Sequence, residues 1–325
     1  MSEATTTTAQ SSGVLMDDRR LKKLARRGDG PGLRYLALWA AMLAASGALV
    51  HLSLGSLWII PAMIVHGTIL TVPAYAISHE CSHGTAFRTR WLNEAVLWLT
   101  SLIYFEGPLM RRYAHARHHS YTWMRGKDAQ MPFNTPLTVK GWLLEISGIG
   151  QYLYDAQHMV RNALGRFHPE VVDFTPPSEL PKLKWEARAM LAIYSAGAIA
   201  TALTGVLWPL VYLAVPRLVG GIAMQLFTII QHAEMEEDTP DLRRSTRSFE
   251  TNLLGRFLYA NMNHHIEHHL YPSVPFHALP TLSAEIREQL PAPSRGLFAT
   301  NVEVLRAVLR RASAGRRGFP SEQAL

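Results

Sequence analysis

The chain has 325 residues, of which 48% are hydrophobic and 18% charged, with a formal net charge of +7 at pH 7. Its single cysteine, Cys81, excludes an intramolecular disulfide, and no CxxC pair is present to build a zinc ribbon, a rubredoxin-type site or an Fe–S site. The basic balance reads as membrane-surface chemistry, since no nucleic-acid-binding motif accompanies it.

A mean hydropathy of +0.02 averages long apolar blocks with polar, histidine-rich stretches. Residues 1–30 are expected to form a disordered, basic N-terminal segment. It opens on polar residues such as Thr5–Thr8 and carries Arg19, Arg20, Lys22, Lys23, Arg26 and Arg27. It is not expected to be a signal peptide, because the apolar block that follows is too long for one. Four blocks, about Leu33–Leu54, Leu57–Ser78, Ala187–Leu207 and Trp208–Ile230, approach the ~20 apolar residues that cross a bilayer. Buried helices of a large soluble core are the rival reading, and the scarcity of charges in such long blocks argues against it. The connections Ser53–Ser56 and Thr204-Gly205 are uncharged, whereas basic residues precede the first span and Arg310, Arg311, Arg316 and Arg317 close the chain. The positive-inside rule then expects two hairpins with both termini in the cytoplasm.

Between and after the spans, residues 79–186 and 231–295 are expected to form a cytoplasmic helical cap. Ala95–Phe105 reaches only about 16 Å as a helix, so it should lie in the interface or dip in and return. Gly141–His158 is amphipathic and aromatic, an expected interfacial helix. Pro176, Pro177 and Pro181 mark a loop into the third span. Pro272 and Pro275 should break the chain, with helices at Leu282–Gln289 and Val302–Ala312, and residues 296–325 read as a basic cytoplasmic tail. The fold class expected is an all-α membrane protein, residues 31–295 forming one membrane domain.

Eight of the 15 histidines fall in three clusters: His79 and His83; His115, His118 and His119; His265, His268 and His269. His232 follows the fourth span directly. Residues i, i+3 and i+4 share one helix face, so each cluster presents its imidazoles together. Neutral imidazole is the commonest biological metal ligand, and this many ligands suit two ions held side by side. Ligand type alone leaves iron, copper, zinc and nickel open, and the ligand number, which leaves room for O2, favours iron. Nearby carboxylates are candidates to orient the ligands: Glu80 and Glu267 first, being inside clusters, then Asp128 and Glu234, with Glu106 and Glu236 behind them.

The order HxxxH, HxxHH, HxxHH, with His79-Glu80-Cys81-Ser82-His83-Gly84-Thr85-Ala86-Phe87 and Asn263-His264-His265-Ile266-Glu267-His268-His269-Leu270-Tyr271-Pro272, resembles the integral-membrane fatty acid desaturase/hydroxylase superfamily over about residues 33–285. The resemblance implies two non-haem irons that activate O2 and remove hydrogen from unactivated carbon. It implies as ligands His79, His83, His115, His118, His119, His265, His268 and His269, with His232 matching an extra ligand at the end of the fourth span. The flanking residues are also similar to a bacterial subgroup that includes the oxygenase component of rhizopine catabolism. Its members work with a Rieske-type ferredoxin and often carry tyrosine where this chain has His264. Desaturation or hydroxylation of a fatty acyl or lipid substrate is therefore expected in a bacterial inner membrane. Oxidative demethylation of a small polar substrate is the alternative. The chain has no haem, flavin or nicotinamide fingerprint, so electrons must come from a separate ferredoxin or rubredoxin and its reductase.

Ionisable groups inside spans are functional candidates by default. Arg217, beside Pro216, is expected to pair structurally before it meets substrate. His66 lies about 20 Å from His79 along the helix, and His51 is interfacial. Pro73 should kink the second span. Trp123, Tyr121 and Phe133 follow the second cluster and, with His66, Arg217 and His264, are candidates to contact substrate. Two rivals remain. His79-Glu80-Cys81-Ser82-His83 satisfies the HExxH zinc-protease pattern but leaves two clusters idle. A metal transporter would place its ligands near mid-bilayer.

Overall fold

The computed structural model describes residues 16–131 and 135–317, with side chains to residue 314. Phe133 and the N-terminal threonines fall outside the described residues. Every regular element among those described is helical.

The chain becomes helical earlier than the composition suggests. A short helix α1 (Asp18–Leu24) is capped by Asp17, whose carboxylate accepts the Arg20 N–H at 2.9 Å. The basic segment is thus ordered from there on, and Leu24 packs with Leu270, Leu279 and Leu282. The first two spans are α2 (Asp29–Leu52) and α3 (Ile59–His83). Trp39 of α2 donates its indole N–H to the Ile69 carbonyl of α3 at 2.7 Å. The helix α3 runs through Pro73 and stops at Gly84, whose φ of +66° reverses the chain. It therefore carries His79 and His83 in its own last turns, so the first histidine cluster belongs to the span and not to the cap.

Beyond it lie α4 (Arg90–Tyr104) and α5 (Pro108–Ser120). Leu97 and Thr100 of α4 are buried and Trp91 and Leu99 are exposed, the amphipathic pattern expected. The stretch expected as one interfacial helix is two, α6 (Val139–Ser147) and α7 (Ile149–Ala163), because Gly148 at φ +70° breaks it. After α8 (Pro169–Phe174) the third span is α9 (Leu180–Thr204). It starts earlier than composition suggested, with Pro181 in its first turn rather than in a loop. Glu186 of α9 accepts the Leu109 N–H at 3.0 Å, meeting an otherwise unpaired donor at the N-terminus of α5.

The fourth span begins as a π-helical turn, Leu210–Ala214, continues as α10 (Val215–Thr228) and tightens to a 3₁₀ turn at Ile229–Gln231. Its closest partner is α3. A Cβ on Gly67 would collide with the Pro216 carbonyl and sit 2.9 Å from Gly220 N, so the two backbones meet where only glycine fits. By contrast α9 stands apart, with 11% of its most apolar window buried. All four helices are long and apolar enough to cross a membrane. The remaining α-helices among the described residues are α11 (Leu242–Ser245), α12 (Leu253–Leu258), α13 (His265–Leu270), α14 (Leu279–Ile286) and α15 (Leu297–Arg317). The tail expected after residue 296 is this last helix, docked through Val304 and Val308 into the main core.

Candidate metal centre

The ends of α3, α5, α13 and the fourth span converge, and nine imidazoles meet there. They sort into two groups, each with its potential ligand atoms within 4.8 Å of one another: His79, His83, His115, His119 and His268; and His118, His232, His265 and His269. The second and third sequence clusters are each split between the groups. On a helix, i+4 lies about 40° to one side of residue i and i+3 about 60° to the other. His119 therefore joins His115 while His118 faces the other group, and His268 leaves His265 and His269 in the same way.

The ring nitrogens suit cations. His115 Nδ1 donates to Gln130 Oε1 at 2.7 Å, His118 Nδ1 to Asp128 at 2.9 Å, and His232 Nδ1 to the Ser245 carbonyl at 2.9 Å. His269 Nδ1 donates to Thr122 Oγ1 at 3.1 Å, whose own proton goes to the His118 carbonyl. A neutral imidazole has one N–H, so each of these bonds leaves the Nε2 lone pair facing inward. There the Nε2 atoms crowd: His83 and His115 at 2.9 Å, His115 and His119 at 3.0 Å, His119 and His268 at 3.1 Å, and His265 at 3.2 Å from both His232 and His269. The buried Nε2 of His79 has no hydrogen-bond partner among the described residues. Four of the rings thus offer inward Nε2 lone pairs, and the crowding of nitrogens around them suits a cation held between the rings. Burial and neighbouring imidazoles push His232 down to about 3 and hold His115, His119, His265, His268 and His269 well below the usual histidine range. All six are neutral at pH 7, the form that ligates.

The carboxylates divide. Asp128 accepts from His118 and from the N–H groups of Trp123 (2.7 Å) and Gln130 (2.8 Å). Burial alone would raise its pKa, but His118 and these N–H bonds hold it below the usual carboxylate range. Glu80 lies 3.4 Å from His79 Nδ1 and accepts from Thr85 and the Phe276 N–H, both at 3.0 Å. Glu267 is gripped by Ser248 at 2.6 Å and by Ser283. Burial would raise it, and bonds from His264 and the two serines lower it overall. Glu234 and Glu236 are not brought to the centre: they pair with Arg311 and Arg244 at the surface. Glu106 pairs with buried Arg111 at 2.9 Å.

A cavity of about 440 Å³ opens beside the groups. His79, His115, His118, His232 and His265 line it, with Tyr75, Tyr104 and Glu145 among the facing residues. Trp123 lines it too, stacked on His232 with centroids 5.2 Å apart. The other substrate candidates lie elsewhere. His66 is bound by Ser46 and the Tyr212 carbonyl at 2.8 and 3.1 Å. Arg217 donates to the carbonyls of Ile103 (2.8 Å) and Tyr104 (2.9 Å) and to the Tyr152 hydroxyl. It caps the C-terminal end of α4 rather than a carbonyl freed by Pro216. His264 turns away to Glu267, 3.6 Å from Nδ1. No local pattern marks Gln130, Thr122, Ser245 and Ser248, because uncharged polar residues acquire such roles only through tertiary contact.

The fatty acid desaturase family model matches residues 66–300. Curated relatives include an sn-1 acyl-lipid omega-3 desaturase (ferredoxin) of Nostoc sp. (strain 36), 25% identical and covering 63% of this chain and 61% of the relative. An omega-6 fatty acid desaturase, endoplasmic reticulum isozyme 1, of Glycine max is 24% identical, covering 68% and 63%. The Delta(12) fatty acid desaturase FAD2 of Calendula officinalis is 26% identical, covering 66% and 62%. The chain spans about six-tenths of the length of these relatives. The matched region runs from the middle of α3 to the start of α15 and takes in all nine converging histidines, and the chain belongs to the fatty acid desaturase family.

Proposed function

We propose that this integral membrane protein is an oxidoreductase whose two histidine groups hold two non-haem iron ions, and that it oxidises an unactivated C–H bond with O2 and external electrons. The observation that carries this reading is the meeting of nine imidazoles in two adjacent all-nitrogen groups. When bound, the ions supply the redox chemistry that activates O2 against carbon. The chain supplies orientation. Asp128, Gln130, Thr122 and the Ser245 carbonyl fix the outer N–H of four rings and so aim their Nε2 atoms inward. Trp123 covers His232 and keeps water from that side. The cavity wall holds a substrate C–H against the histidines.

The relatives' names speak of fatty acyl chains, and acyl-lipid desaturation or hydroxylation is the first reading. Hydroxylation of a small polar substrate, including oxidative demethylation, is the second, favoured by the polar side chains in the cavity wall. One relative's name includes ferredoxin, in line with a separate ferredoxin or rubredoxin and its reductase as donor. The basic termini favour a cytoplasmic centre in a bacterial inner membrane. A zinc protease would need Glu80 free as a base, but its carboxylate is bound by Thr85 and the Phe276 N–H. The test is elemental analysis of protein purified in detergent from iron-supplemented cells, followed by O2 uptake with reduced ferredoxin and acyl-lipid. About two irons per chain, lost in His118→Ala and His268→Ala, is the expected result. One zinc indifferent to both substitutions would overturn the reading.

A further inference from the structure

Apart from its histidines, the cavity wall carries more acid than base. Its arginine, Arg111, is paired with Glu106 at 2.9 Å, both side chains buried, so those charges cancel. Two further carboxylates line the same space. Glu145 of α6 is only 9% exposed, and its carboxylate accepts no hydrogen bond among the described residues. Glu170 of α8 lies at the wall, with His168 Nδ1 4.0 Å away. Among the described residues the lining holds no lysine. Tyr154 and Trp123 add aromatic faces, which attract cations.

A buried carboxylate without a partner is unfavourable unless something completes it. Burial alone pushes Glu145 up to about 7, which measures how little the protein does to hold its charge. An acyl chain would make matters worse, since methylenes against Glu145, Gln151 and Gln225 would remove water and return no hydrogen bond. A positively charged group satisfies both the carboxylate and the aromatic rings.

We infer that the cavity is a binding site for an organic ammonium group, whose charge pairs with Glu145 while a neighbouring C–H of the same molecule faces the histidines. The inference rests on the oxidoreductase reading for what happens next, but the binding site stands on Glu145 and its surroundings. The ammonium can belong to a small free molecule or to a zwitterionic lipid headgroup.

Binding to the purified, metal-loaded protein in detergent tests it. Choline is titrated against its uncharged isostere 3,3-dimethylbutan-1-ol, and cyclohexylammonium against cyclohexanol. Micellar phosphatidylcholine is compared with phosphatidylglycerol of the same chains. At least one cation should bind at least tenfold tighter than its isostere. Glu145→Gln should erase that preference with metal content and melting temperature unchanged, and Glu145→Asp should keep part of it. Preference for free cations assigns a small-molecule substrate, and preference confined to phosphatidylcholine assigns a headgroup. Equal binding of every charged and uncharged pair, or a preference that survives Glu145→Gln, overturns the inference. Metal and O2 uptake intact beside that result would leave the oxidoreductase reading standing. Lost metal beside a clear cation preference would sink the oxidoreductase reading and spare the site.

Discussion

His119 and His269 stack with ring centroids 4.3 Å apart, yet each belongs to a different histidine group. The two candidate ion positions therefore share a wall. Replacing either ring with alanine should lower bound metal from about two ions per chain to one or fewer and abolish turnover. Elemental analysis of the two variants checks this, and full metal content in His119→Ala would show that the groups are drawn wrongly.

Asp128 should act on the centre chiefly through His118. Its carboxylate fixes the His118 N–H outward, so Asp128→Asn is expected to cost about 10–100-fold in metal affinity or activity without unfolding the protein. Glu234→Ala is the contrast. Its ion pair with Arg311 is part-exposed, with side chains 19% and 38% accessible, and such pairs contribute at most about 1 kcal/mol. Activity should not change. A metal titration of both variants separates the two cases.

Acid should unfold the metal-free protein in a defined window. His115, His119, His265, His268 and His269 are held neutral in the fold, well below the unfolded value near 6.5. Below that value the unfolded chain takes up protons that the folded chain refuses, so stability falls as pH falls, by up to about 1.4 kcal/mol per pH unit for each histidine. Melting temperature should be level from pH 8 to 7 and drop steeply under 6.5. A melting temperature rising on acidification would contradict the neutral assignment.

Arg217→Met should destabilise without demetallating. The substitution strips partners from the Ile103 and Tyr104 carbonyls, at about 1–3 kcal/mol for each buried group left unmet. A lower melting temperature with unchanged metal per chain is expected. Loss of substrate binding with melting unchanged would instead return Arg217 to the substrate candidates.

The four spans and the histidine clusters were legible because both are local patterns, apolar length and helical spacing. The division of each cluster between two groups was not, since spacing defines an arc but not what stands opposite it. His264 adjoins His265 in sequence, but it stands just before α13 with a non-helical backbone, and its side chain turns toward Glu267 and away from the cavity. Glu234 follows His232 by two residues, yet a φ of +62° swings it outward to Arg311. Nothing local sets Glu145 apart within the stretch expected to be an interfacial helix. Its meaning comes from α5 and α10 residues such as Arg111 and Met224, which share its cavity.

The splitting of the clusters also constrains the order of events at the ribosome. The five-histidine group needs His79 from α3 and His268 from α13, and the four-histidine group needs His118 together with His269. Neither set is complete until the chain has been synthesised past residue 269. By then all four spans have already been made. A complete ligand set therefore exists only after all four spans, on a scaffold held together by α3 and α10, so metal held by these groups would be a finishing step and not a nucleus for folding.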